Sequence, residues 1–300
     1  MTGGSTEQLK PQDAIKTYRY LRIGMIGAVV LLAASVLIER SKVDCWQTSI
    51  SAYYYTPVRA IFVGSLIAVG FVLIVYKGRG PWEDAFLNFS GMLAPVVAVA
   101  PTTDVGRCWS VAPSPLPVKE DGSLADWVVT NIDNNFNALL IAGAIGLVVS
   151  LLIVVAANKG NVGATVRTVK RERGTTLSLA LTAFALLVAW WLSRNWGSFD
   201  TRAHGFAALL MFVGLIGAIV VEALEHRKEQ EGGWFKVYAG VAALMIVGGL
   251  LIWLTRIFGE HTVFALESYE IVFFALYWIV QTKENWNERV ESVPADAGGG

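Results

Sequence analysis

The sequence predicts an all-α polytopic membrane protein, a bundle of eight transmembrane helices with both termini in the cytoplasm. Three observations carry that expectation. The 300 residues are 54% hydrophobic and only 16% charged, whereas soluble domains run near 25% charged. The mean hydropathy is +0.52. Apolar runs of about the length a helix needs to cross a bilayer recur along the chain. Lys+Arg 24 against Asp+Glu 24 leaves no net charge, which argues against nucleic acid as a partner.

Residues 1–20 form a polar cytoplasmic segment, without the apolar core and small-residue end of a cleavable signal. Tyr18, Arg19, Tyr20 and Arg22 close it as an interfacial anchor. The transmembrane domain then covers 21–282. Its spans are expected at Leu21–Ile38, Ala60–Tyr76, Ala85–Ala100, Phe136–Ala157, Thr175–Leu192, Gly205–Val221, Val237–Leu254 and Thr262–Val280. The third, with Asn88, Ser90 and Pro95, is the least lipid-like of the early ones. Residues 283–300 form a cytoplasmic tail, and its Gly/Ala-rich end, Glu291–Gly300, is expected to be disordered.

Charge sets the orientation. With the N-terminus inside, sixteen of the 24 basic residues fall in inner segments, five of them at Lys159, Arg167, Lys170, Arg171 and Arg173. That bias places both termini in the cytoplasm. The basic 159–173 loop could also touch anionic lipid headgroups. The segments 40–59 and 102–135 then lie together outside, carrying the two cysteines, Cys45 and Cys108. A disulfide between them is the natural reading in an oxidising envelope, with two unpaired thiols as the alternative. Gly70, Gly143, Gly146, Gly214, Gly217, Gly248 and Gly249 read as close helix–helix contacts in lipid. The echo of Trp191-Leu192-Ser193-Arg194 in Trp253-Leu254-Thr255-Arg256 allows a repeated helix hairpin, or convergence on one kind of helix end.

The last span carries the strongest functional signal. Glu267 and Glu270 sit three residues apart on one helix face, about 9 and 13 Å below a boundary taken at His261. A charge at that depth costs at least about 2.5–3.5 kcal/mol, so both acids must face protein, water or each other. Arg59 opens the second span and is the expected partner of Glu267, with Glu270 protonated. Glu267, Glu270, Arg59, Asn88, His204, Ser51 and Tyr54 are thus expected to line an outward-facing polar cavity. Asp200, His204 and His261 could form a metal site of the His/carboxylate type. Asp200 serves equally well as a helix N-cap. His226 falls on the inner side and cannot join that set. The sequence specifies no cofactor.

The string Ser49-Ile50-Ser51-Ala52-Tyr53-Tyr54-Tyr55-Thr56-Pro57, followed by Arg59, is the most distinctive in the chain. It resembles a pattern in uncharacterised bacterial multi-span membrane proteins. The resemblance extends to Pro101-Thr102-Thr103, to His204 with Ala207-Ala208, and to Glu267 with Trp278. DRAM-like membrane proteins are similar in outline only. The resemblance implies a multi-pass protein of the bacterial plasma membrane, and no activity. The chain is less similar to the seven-span zinc amidases of the alkaline-ceramidase and adiponectin-receptor type. Three histidines, one of them inside, cannot build their three-His site.

The leading functional expectation is therefore a transport-type membrane protein that binds a lipid or a small cation in the outer cavity. A membrane-embedded hydrolase of a lipid amide or ester at the outer leaflet is the second. A structural subunit, paired with another membrane protein or with a second copy, is the third.

Overall fold

A computed structural model gives the fold for residues 11–158 and 173–286. The basic loop between 158 and 173 and the glycine-rich tail from 287 lie outside the described residues. Eight long helices follow one another among those described. They are α1 (Pro11–Val43), α2 (Arg59–Val75), α3 (Pro81–Val99), α4 (Asp126–Ala157), α5 (Arg173–Asn195), α6 (Phe199–Lys228), α7 (Gly232–Thr255) and α8 (Thr262–Glu284). A short 3₁₀ helix, Ser51–Tyr55, leads into α2.

Among the described residues, five stretches are long and apolar enough to cross a bilayer: Lys16–Val43, Asp126–Ala156, Phe199–Lys228, Gly233–Thr255 and Gly259–Glu284. They mark the chain as a multi-pass integral membrane protein. Helix α2 is apolar after Arg59, apart from Ser65, but has 17 residues, and α3 begins with Glu83 and Asp84 in its first turn. Because α3 buries Glu83, Asn88 and Ser90 against its neighbours, its polar residues meet protein and not lipid.

Helices α1, α2, α3, α6, α7 and α8 pack in that order as a ring, which closes where α8 meets α1. Their shared core includes Met25, Leu73, Leu87, Ile219, Met245 and Trp278. Helices α4 and α5 pack on each other and on α3, outside the ring. The Trp-Leu-Ser/Thr-Arg echo does not mark two alike hairpins: α7 packs on α8, whereas α5 packs on α3 and α4.

Small residues make the ring tight. A Cβ on Gly70 would lie 2.7 Å from the Gly91 carbonyl oxygen, and one on Gly91 would lie 2.7 Å from that of Gly70. Helices α2 and α3 therefore cross backbone to backbone. Gly214 and Gly217 give α6 the same access to Ser90 and Phe86 of α3. Gly146 has open space around it, so the close-contact expectation fails there.

One end of the bundle is tied covalently. Cys45, just past α1, and Cys108, in the long connection from α3 to α4, form a disulfide with their Cα atoms 6.0 Å apart. Gln47 is fully buried beside it. Its Nε2 donates to the Cys108 carbonyl at 2.6 Å, and its Oε1 accepts from Arg107 N at 3.0 Å. Gly106 (φ +69°) leaves room for that amide, since a Cβ there would lie 1.9 Å from Gln47 Oε1. Thiol alkylation of freshly isolated, unreduced membranes should leave both cysteines unmodified, and prior reduction should expose both. Labelling without reduction would show two free thiols.

Candidate functional site

At the disulfide end, the distinctive tyrosine string is a buried plug. Tyr53, Tyr54 and Tyr55 pack with Leu32 and Val36 of α1 and Phe62 of α2. Tyr55 donates to the Thr102 carbonyl at 2.8 Å, and burial pushes its hydroxyl to a higher pKa. Glu267 anchors the plug from α8. It accepts from Ile50 N at 2.6 Å, Ser51 N at 3.3 Å and Ser51 Oγ at 2.8 Å. This carboxylate therefore caps the free N–H groups that open a short helix.

The seven residues expected to line an outer cavity are divided among separate contacts. Ser51 joins Glu267, while Arg59 donates to the Tyr54 hydroxyl at 2.6 Å and lies over its ring, not beside Glu267. Glu270 diverges from Glu267 and packs against α7, where a Cβ on Gly249 would meet Glu270 Oε1 at 2.6 Å. Asn88 is buried on α3. His204 Nδ1 lies 2.7 Å from the Ala100 carbonyl, and so must carry the proton. A cavity of about 50 Å³ lies between α1, α2, α6 and α8. It is lined by residues such as Leu32, Val69, Leu215 and Phe274, and by none of the seven.

The expected metal set does not converge either. His204 points to α3, His261 Nδ1 lies 3.2 Å from the Gln47 carbonyl, and Asp200 sits in the first turn of α6. Among the described residues, the groups that could hold a metal lie at the opposite end, at Glu222, His226 and Glu284 and at His226, Glu229 and Glu231.

That opposite, basic end gathers the start of α1, the ends of α2, α6 and α8, and the starts of α3 and α7. Arg22 is buried there, donating to the Gln281 carbonyl at 3.0 Å and to the Tyr76 hydroxyl at 2.7 Å. Arg79 is the centre of the polar cluster. Its Nη2 lies 2.5 Å from Glu284 Oε1, its Nε 3.3 Å from Glu222 Oε1, and its Nη1 3.0 Å from Glu229 Oε2 and 3.9 Å from Glu231 Oε2. Its backbone N–H donates to Glu83 Oε2 at 2.7 Å. Gln281 Nε2 reaches Glu83 Oε1 at 3.0 Å and Glu222 Oε2 at 3.4 Å, bridging the two acids. Glu83 lies ahead of the apolar part of α3, and burial pushes its carboxyl up against the hydrogen bonds it accepts.

His226 completes the cluster. Its ring stacks on Tyr238 with centroids 5.2 Å apart, and Tyr238 donates to Glu284 Oε2. Nδ1 lies 2.7 Å from Glu231 Oε2. A carboxylate only accepts, so Nδ1 carries a proton; the other ring nitrogen is Nε2. That buried nitrogen faces Glu284 Oε1 at 3.0 Å and Glu222 Oε1 at 3.5 Å, without a hydrogen-bond partner. A ring nitrogen and two carboxylate oxygens that converge in this way call for a positive charge between them, a proton on Nε2 or a cation in its place.

Sequence reading passed over this site. Glu222 and His226 are four apart and so share one face of α6, and Gln281 and Glu284 are three apart on α8. Those spacings were the available signal, but each pair sits at the end of an apolar run, where polar residues are ordinary. No protein-family profile matches this chain, and neither a curated protein nor a solved structure is found similar to it.

Proposed function

We propose that this is a transport-type protein of the bacterial plasma membrane, with eight spans and cytoplasmic termini. On this reading it binds a small cation in the carboxylate–imidazole cluster at its basic end. One observation carries it: of five clustered acids, Glu222, Glu229, Glu231 and Glu284 contact a single guanidinium, that of Arg79, and Glu83 accepts from the Arg79 backbone N–H. Three of the five are buried. Desolvated carboxylates in that excess attract a further positive charge strongly, because the surroundings screen it poorly. Glu267, the acid at the outer plug, is already engaged by Ile50 and Ser51, so the cation reading moves from the disulfide end to the basic end. By positive-inside logic that end faces the cytoplasm.

The test is cation-dependent thermal stability of purified, detergent-solubilised protein. Na⁺, K⁺, Mg²⁺, Mn²⁺ and Zn²⁺ are compared with choline at equal ionic strength. At least one cation should raise the melting temperature in a saturable way, by roughly RT ln(1 + [L]/Kd) in free energy. Glu222→Gln and Glu284→Gln should each lose that increment. A melting temperature indifferent to every cation would overturn the proposal.

A further inference from the structure

Resting on that cation reading, we propose that Glu222, His226 and Glu284 form a site for a first-row divalent transition metal, and that Arg79 is the resident counter-charge that the metal displaces. The ligand spacing supports this. Bonds of about 2.0–2.2 Å in a tetrahedral shell place neighbouring ligand atoms about 3.3–3.6 Å apart. His226 Nε2 lies 3.0 Å from Glu284 Oε1 and 3.5 Å from Glu222 Oε1. The three ligand atoms all lie within 4.8 Å of one another, and all three residues are buried.

The support around the ligands fits as well. A metal-binding imidazole commonly donates its other N–H to a carboxylate, which fixes the tautomer and strengthens the ligand. Glu231 takes that place, with Oε2 at 2.7 Å from His226 Nδ1. Glu284 is oriented by the hydroxyl of Tyr238, and Glu222 by Gln281 through its other oxygen. One imidazole with two carboxylates favours Zn²⁺, Mn²⁺ or Fe²⁺ over Na⁺ or Mg²⁺, because hard cations gain little from nitrogen.

Arg79 competes for the same atoms, since it contacts Glu284 Oε1 and Glu222 Oε1. It need not leave the cluster when a metal enters. Its Nη1 is already 3.0 Å from Glu229 Oε2, on a side chain 51% exposed in the turn between α6 and α7. Releasing the two buried carboxylates and keeping the Glu229 contact turns the guanidinium outward. Glu229 and Glu231 then offer an incoming ion a first set of oxygens beside His226.

The experiment titrates tag-free, EDTA-stripped full-length protein with Zn²⁺ and Mn²⁺ against a fluorescent chelator, with Mg²⁺ and Na⁺ in parallel. One transition-metal ion per chain is expected, weakened at least 100-fold by His226→Gln and about 10–100-fold by Glu231→Gln. Arg79→Gln removes the competing cation and should bind the metal more tightly than the parent. X-ray absorption of the zinc-loaded parent should show a nitrogen–oxygen shell with one imidazole, a readout that survives if a variant does not fold. Saturable binding of only Na⁺ or Mg²⁺, untouched by His226→Gln, would overturn the metal site and leave the cation reading standing. A shell without imidazole would also overturn the metal site. Metal binding that Arg79→Gln does not strengthen would remove Arg79 from the scheme. Absence of any cation binding would overturn both readings.

Discussion

Glu267→Ala is expected to destabilise the protein by about 3–5 kcal/mol, because it strips the acceptor from several buried donors at once. Ile50 N–H and Ser51 N–H both end on Glu267 Oε2, at 2.6 and 3.3 Å, and the Ser51 hydroxyl on Oε1 at 2.8 Å. Ile50 and Ser51 are buried, so water does not replace the lost acceptor cheaply. The hydroxyl can rotate to another acceptor, but the backbone groups cannot. Glu267→Gln keeps one carbonyl oxygen and should fall between parent and Ala. Arg59→Ala removes an ion–ring contact and a hydrogen bond to the Tyr54 hydroxyl at the half-exposed rim and should cost about 1–2 kcal/mol, less than Glu267→Ala. Thermal unfolding in detergent reads all three. A Glu267→Ala protein as stable as the parent would show that the carboxylate does not anchor the plug.

The second large effect is expected at the crossing of α2 and α3. Gly91→Leu should cost about 2–3 kcal/mol or more, since overpacking a filled contact forces backbone shifts. The first added carbon would lie 2.7 Å from the Gly70 carbonyl oxygen and 2.8 Å from Ile74 Cγ1. A backbone oxygen cannot rotate aside, so the helices must separate. Because α3 also packs on α4, α5 and α6, that separation spreads through the bundle. Gly146→Leu on α4 is the matched control, with nothing within 4 Å of its Cβ position. It should leave the melting temperature unchanged. Equal melting temperatures for the two variants would refute the tight crossing.

By itself the sequence determined what kind of molecule this is. Composition and the recurrence of apolar runs fix a helical membrane protein, because backbone polar groups in lipid must pair within their own helix. The expected alternation of spans put Cys45 and Cys108 in connections on the same side, which made a bridge the favoured reading over two free thiols, and the bridge is present. Most of the small-residue contacts were legible too, because a glycine inside an apolar helix usually marks a close neighbour.

Which polar residues meet was decided only by the tertiary structure. Glu267 and Glu270 share a face of α8 by spacing, yet one caps a short helix and the other packs on Gly249 of α7. One-dimensional depth ranks a mid-membrane acid as the anomaly and an acid at a span's end as ordinary. The ring inverts that ranking. It closes α8 on α1 and sets α3 between α2 and α6, so Arg79, Glu83, Glu222, His226 and Glu284 become neighbours across 205 positions of chain. Burial and mutual distance, not depth, turn such residues into a site, and both depend on which helices pack together.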